Sequence, residues 1–258
     1  MTVSAPRNAF KRRLLAGETV YGLWLMSTSP VMAEAASLVG FDWLLFDTEH
    51  SPIDIGGVQP LLQAAAAGAS AILARPAWND RVLIKRMLDI GAQTLVVPFV
   101  ETADEARQAV ISTRYPPLGR RGVSGGTRAS RYGFAPDYFT TANDEICLLV
   151  QVETREAVAE LDAIAAVDGV DGVFIGPADL AASLGHLGNP GHPDVVAVLK
   201  DALARILAVG KAPGILAMNA ETARTYAEWG YRFVGVGTDM GLFAANAKAA
   251  LAAVASPS

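Results

Sequence analysis

The feature that most constrains this chain is an eightfold alternation. Short, nearly uninterrupted apolar runs recur along it, and each is followed by a stretch with helical spacing. The runs occupy residues 20–26, 41–47, 70–75, 94–100, 146–152, 171–175, 213–217 and 232–236. Continuous apolar segments of this length suit strands covered on both faces, the condition of a parallel sheet. Helix punctuation falls between them: Thr102 precedes Ala103-Asp104-Glu105, Asn219 opens the stretch to Trp229, and Gly230 stops it. Eight strand–helix units predict an α/β fold, a (β/α)8 barrel, and 258 residues is an ordinary size for one such domain over 1–258. An open doubly wound sheet is the alternative, although no GxGxxG follows the first strand.

Hydrophobic residues form 52% of the chain and charged residues 18%, which excludes a disordered segment. A net charge of −5 argues against nucleic acid and against a polybasic membrane patch. No apolar run reaches the ~18 residues of a membrane span. The basic N-terminus lacks a following apolar core, so no signal peptide is expected. The single cysteine, Cys147, reads as a small buried hydrophobe. Together these features predict a cytoplasmic protein.

Barrel enzymes carry their chemistry at the C-terminal ends of the strands. Here those ends read Asp47-Thr48-Glu49-His50, Arg75-Pro76, Gln151-Val152-Glu153 and Gly176-Pro177-Ala178-Asp179. Glu153 and Asp179, from neighbouring strands, suit a sparsely held Mg²⁺ or Mn²⁺; each alone would serve equally as a favourable first-turn acid of the next helix. His50 is either a proton carrier or a loop residue bonded to Asp47 or Glu49. Arg75 either stabilises a carboxylate or enolate oxygen or pairs with those same two acids, and the readings are compatible. Gln151 points into the same mouth. His186 and His192 read as surface turn residues. No lysine ends a strand, so Schiff-base chemistry has no candidate. The longest irregular piece, residues 115–143, holds Arg120, Arg121, Arg128 and Arg131, and a loop of that length inside a compact domain is usually functional or mobile.

The string Phe41-Asp42-Trp43-Leu44-Leu45-Phe46-Asp47-Thr48-Glu49-His50 resembles the histidine-bearing segment of the HpcH/HpaI class II aldolases, members of the phosphoenolpyruvate/pyruvate barrel superfamily. The likeness continues through Arg75-Pro76, residues 88–93, Arg121-Gly122, residues 151–154 and residues 172–180, spanning roughly 18 to 240. It implies a TIM barrel and reversible cleavage of 4-hydroxy-2-oxo acids into pyruvate or hydroxypyruvate and an aldehyde. A divalent metal (Mg²⁺, Mn²⁺ or Co²⁺) on Glu153 and Asp179 is implied, with no organic cofactor. Arg75 would stabilise the enolate, and His50 would handle protons with Asp89 as its acidic partner, within the chain or across a subunit interface. Gln151 and the segment Gly176, Pro177, Ala178 and Asp179 would contact the donor, with Asp47 and Glu49 supporting. The family also implies homo-oligomers, often hexamers of dimers that exchange the C-terminal helix. A malyl- or citramalyl-CoA-type lyase and a non-catalytic barrel are the competing readings. The arginines of residues 120–131 would supply the nucleotide surface of the first; intact Glu153, Asp179, Arg75 and His50 speak against the second.

Overall fold

The computed structural model describes residues 3–255. Eight parallel strands close a barrel in chain order: β1 (Val20–Leu25), β2 (Trp43–Asp47), β3 (Ala71–Arg75), β4 (Thr94–Val97), β5 (Cys147–Val152), β6 (Gly172–Ile175), β7 (Ala212–Ala217) and β8 (Phe233–Thr238). All eight lie where the apolar runs place them, and closure rules out the open sheet. The helices are α1 (Ala9–Leu15), α2 (Pro30–Leu38), α3 (Ile55–Ala65), α4 (Arg81–Asp89), α5 (Ala103–Thr113) and α6 (Tyr138–Glu145). They continue with α7 (Arg155–Ala159), α8 (Leu161–Ala165), α9 (Pro177–Ser183), α10 (Pro193–Ala208), α11 (Ala220–Trp229) and α12 (Asp239–Ala255). None is long and apolar enough to cross a membrane. The caps are those the sequence announces: Thr102 and Glu105 form a reciprocal capping box on α5, and Asn219 accepts from the Thr222 amide at the start of α11.

The barrel interior is filled by large residues set against small ones. Gly22 of β1 is the register partner of Trp43 of β2, and a Cβ there would fall 1.9 Å from the indole. Gly214 stands in the same relation to Phe233, at 2.0 Å. Trp24, Leu45, Leu73, Val96, Leu149 and Phe174 complete this inner core, with Cys147 fully buried beside them. A larger apolar layer joins the sheet to its helices.

Two elements depart from the expected pattern. The short α1 precedes β1 and brings Phe10 and Leu14 into the inner core. The piece read as irregular, residues 115–143, contains a 3-10 turn at Arg128–Gly133 and most of α6. It joins α5 to β5 and so lies at the N-terminal end of the strands, opposite the mouth of its own barrel. A loop there cannot select a substrate for that mouth.

Among the carboxylates that tie down the N-terminal segment, Glu145 makes the most contacts. Glu145 accepts from the Asn8 amide at 2.6 Å and pairs with Arg7 at 3.0 Å and Arg12 at 2.6 Å. Burial would raise its pKa, but the amide and the two guanidiniums outweigh burial and hold it below the usual carboxylate range. A depressed pKa gives stability that is present at neutral pH and lost as pH falls through the lowered value. The protection of the α1 amides, relative to their intrinsic exchange rates, is therefore expected to fall below the ordinary glutamate pKa. Glu145→Gln should show that lower protection already at pH 7; an unchanged α1 in the variant would refute the tie.

Candidate active site

The mouth is assembled on a register contact. Asp47 ends β2 and Arg75 ends β3, and their Cα atoms are direct partners in the parallel ladder. Both side chains therefore share the inner face, and the Arg75 fork closes on Asp47 with Nε to Oδ1 at 2.8 Å and Nη2 to Oδ2 at 2.6 Å. Nη1 donates to Gln151 Oε1 at 3.2 Å and forms an ion pair with Glu49 Oε2 at 2.7 Å. Trp24 packs under the guanidinium, 4.9 Å from ring to Cζ, and donates its indole N–H to Asp47 at 3.2 Å. Burial would raise the Asp47 pKa, but its bonds from Arg75, the Glu49 amide and Trp24 prevail and keep it lowered. Glu49 goes the other way, pushed up by burial against the pull of Arg75 and His50. Thr48 turns out of the mouth and donates to the Arg75 carbonyl at 2.7 Å.

Glu153 follows β5 and is 2% exposed. Its Oε1 accepts from the Phe99 amide at 3.0 Å and its Oε2 from Gln151 Nε2 at 3.1 Å. Gly176 leaves the space this carboxylate fills, since a Cβ there would sit 2.3 Å from Oε2. Burial pushes the Glu153 pKa up to about 7; the Phe99 amide opposes the rise, and the charges of Asp179 and Glu49 add to it. Asp179 stands in the first turn of α9, which begins at Pro177 and has no side-chain cap, so the first-turn amides at Ala178 and Asp179 meet no capping side chain. A buried carboxylate at Glu153, repelled by the partly exposed Asp179 and by Glu49, with oxygen donors and open amides around it, forms a donor set suited to a hard divalent cation.

These groups surround one cavity of about 170 Å³ that Asp47, His50, Arg75, Gln151, Glu153 and Asp179 line together. Its apolar wall is Trp24, Met26, Phe174 and Leu216. Every strand-end candidate except Glu49 thus lines the cavity, and Glu49 reaches it through Arg75. His50 is more than half exposed, with its Nε2 3.9 Å from Glu49.

Asp89 is not among them. It ends α4 at the opposite end of the barrel, ion-paired with Arg121 at 2.9 Å. Within one chain it makes no pair with His50. The arginine loop also lies at that far end: Arg121 is buried against Asp89 and Tyr138, and Arg128 and Arg131 line a cavity with residues opening β3 and β4. The nucleotide surface expected for a CoA-type lyase is therefore not at this mouth. His186 and His192 are more ordered than turn residues need be. Their rings stack 3.5 Å apart between α9 and α10, and Asp194 closes on them at 3.2 and 3.6 Å.

Sequence reading missed Trp24 and Phe99. Trp24 carries an apolar signature that fits any core position. Phe99 acts through its backbone, held at φ 48°, a left-handed conformation costly for an aromatic residue, and no residue type announces a main-chain donor.

A parallel eight-stranded barrel whose C-terminal mouth gathers two carboxylates, an amide and a doubly anchored arginine has the frame of barrel enzymes acting on small oxyanions. The chain belongs to the HpcH/HpaI aldolase/citrate lyase family, whose sequence pattern matches residues 20–246. It is 54% identical over 244 residues to a pyruvate aldolase from Rhizobium etli, covering 95% of this chain and 96% of that protein. A 4-hydroxy-2-oxo-heptane-1,7-dioate aldolase from Salmonella dublin is 53% identical over 244 residues, covering 94% and 93%. Among solved structures, a family protein from Burkholderia cenocepacia superposes with a TM-score of 0.94 at 44% identity, covering 96% of this chain and 100% of that one.

Proposed function

We propose that this chain is a divalent-metal-dependent aldolase that reversibly cleaves 4-hydroxy-2-oxo acids into pyruvate or hydroxypyruvate and an aldehyde. The observation that carries the reading is Arg75, clamped by Asp47 and aimed across one cavity at Gln151 and Glu153. The two aldolases at 53 and 54% identity support it independently. Glu153 and Asp179 would hold the metal, which can be Mg²⁺, Mn²⁺ or Co²⁺ with this oxygen set; when bound it supplies Lewis-acid polarisation of the donor's keto group.

The protein's own groups supply the rest. The first-turn amides of α9, at Ala178 and Asp179 beside Gly176 and Pro177, receive the donor carboxylate. Arg75 offers its remaining Nη–H and its charge to the oxygen that gains charge as the carbon–carbon bond breaks, without reorganising, because Asp47 and Glu49 already fix the guanidinium. Gln151 holds Arg75 on one side and Glu153 on the other. His50, open to solvent, takes the C4 hydroxyl proton through water. Asp89 lies too far along the barrel to orient His50 of its own chain, so it serves the mouth of a neighbouring subunit.

That assignment requires an oligomer, and α12 provides the contact. Asp239 anchors its root by accepting from the Met26 and Ser27 amides at 3.0 Å. Beyond it every residue from Met240 to Ala255 is exposed, including Leu242, Phe243, Leu251 and Val254. A 17-residue apolar helix left in solvent is an interaction surface, and we assign it to exchange between subunits of a homo-oligomer, a hexamer built from dimers. Phe243→Asp combined with Leu251→Asp should reduce the particle mass to that of the 27.0 kDa chain in light scattering. An assembly that keeps its mass would refute the exchange. The substrates are small molecules, without nucleic acid or membrane, and the site of action is the cytoplasm.

The test of the activity is deuterium uptake into the methyl group of pyruvate, followed by NMR. EDTA-stripped protein should show none, and added Mn²⁺ should start it. No uptake from pyruvate or hydroxypyruvate with metal present would overturn the aldolase reading.

A further inference from the structure

Among the described residues, one group of three side chains brings a histidine or carboxylate ligand atom from each within 4.8 Å of the others: His186, His192 and Asp194. None of the three lines the mouth cavity. They occupy the connection from α9 to α10, in the spacing His-x5-His-x-Asp. Gly185 and Gly188, at φ 88° and 77°, let the chain double back there. The backbone closes the turns by itself. The His186 amide donates to the Ala181 carbonyl at 2.7 Å, the Asn189 amide to that of His186 at 2.9 Å, and the His192 amide to that of Asn189 at 3.1 Å. The loop therefore does not need its imidazoles to hold its shape.

The helix terminus accounts for Asp194 alone, as a first-turn acid at the positive end of α10. It does not call for two imidazoles over one carboxylate oxygen. His186 Nε2 lies 3.2 Å from Asp194 Oδ2, and His192 Nδ1 lies 3.6 Å from the same atom. Ligands held by one tetrahedral Zn²⁺ at ~2.0–2.1 Å stand about 3.4 Å from one another, so these are the separations of ligands around a metal. His192 Nδ1 accepts from the Asp194 amide at 3.2 Å and is thus the unprotonated nitrogen of its ring, with a lone pair to give. The side chains are 25%, 33% and 72% exposed, which leaves the outer side open to water as a fourth ligand. Two imidazoles and a carboxylate suit zinc, whereas the oxygen donors of the mouth suit harder ions.

We propose that His186, His192 and Asp194 form a zinc site separate from the mouth, with water completing the coordination. Binding releases the proton that His186 Nε2 shares with Asp194, since the ligand is the neutral ring with a free lone pair. The ion ties the chain just after α9 to the start of α10. α9 carries Asp179 and the first-turn amides of the mouth, so a metal here braces that helix from outside without touching the substrate.

Equilibrium dialysis of the EDTA-stripped full-length protein against Zn²⁺ tests the site, with Glu153→Gln in parallel to disable the mouth. Zinc should be retained by Glu153→Gln, and His186→Ala with His192→Ala in that background should weaken it by more than the roughly 10- to 100-fold that loss of an outer-shell partner costs. Asp194→Asn leaves both imidazoles in place and should weaken it by at least about tenfold, which separates loss of a ligand from loss of the fold. The chain has three histidines, so their ring nitrogen signals in NMR can be assigned by single variants. Zn²⁺ should shift those of His186 and His192 and spare His50 in Glu153→Gln. The proposal falls if Glu153→Gln retains no zinc at about 100 μM. It falls equally if the double histidine variant retains zinc as its background does, or if the two ring signals answer to pH and not to Zn²⁺, which would leave a pair that binds protons only.

Discussion

Glu153→Ala is expected to cut metal-dependent pyruvate exchange by about a thousandfold or more, and Asp179→Ala to do the same. The magnitude follows from removing one of two carboxylate donors, where several kcal/mol of charge stabilisation is at stake and ~4 kcal/mol is about a thousandfold. The barrel should survive the change. Glu153 is a buried charge facing the charges of Asp179 and Glu49, and its neutral contacts are a backbone amide and Gln151. Glu153→Gln keeps an acceptor for the Phe99 amide while removing the repulsion, so the metal-free Tm should not fall. His50→Ala is the control, because His50 touches neither carboxylate donor and should leave Mn²⁺ affinity intact while slowing proton transfer. Full exchange activity in either carboxylate variant would sink the metal assignment, and loss of Mn²⁺ binding in His50→Ala would move the histidine into the donor set.

Arg75→Lys is the second large effect, in spite of its unchanged charge. One ammonium cannot reproduce two bonds to Asp47, one to Gln151 and the contact with Glu49. Turnover should drop by about 100- to 1000-fold, the range seen when one donor to a developing oxyanion is lost. Stability should drop too, by about 1–3 kcal/mol, because buried acceptors on Asp47 lose their partners. The loss belongs in kcat, because the guanidinium acts on the charge that develops as the bond breaks. A variant with parental kcat would remove Arg75 from that step.

The strands were legible because a parallel strand buried on both faces must be apolar throughout, and that condition leaves runs such as 146–152 unmistakable. The strand-end residues were legible for a related reason: Asp47, Arg75, Gln151, Glu153 and Asp179 interrupt or end apolar runs, and only a lined cavity excuses them. Other features left no such trace. α1 is seven residues long and shows two buried positions, too few for a period to emerge. The 115–143 segment reads as irregular because Pro116, Pro117 and the glycines between 119 and 126 break any period, and in the structure residues 131 and 132 take left-handed conformations, at φ 55° and 59°. Whether a loop lies above or below a barrel is a matter of counting strands and helices, and that count sets the segment at the N-terminal end of its own barrel. Asp89 differs, since its helical position already set it away from the strand ends. The exposed face of α12 resembles any apolar barrel helix in composition, and only its packing tells them apart.

The facing of Asp47 and Arg75 in the β2–β3 ladder has a consequence for assembly. A slip of one residue between these strands would turn one of the pair outward, and a slip of two would carry them a full pleat apart. A chain misaligned in that way would keep every residue of the mouth and lose the guanidinium clamp. Turnover per folded molecule is thus a proofreading signal for strand alignment, one that spectroscopic measures of helix and strand content would miss.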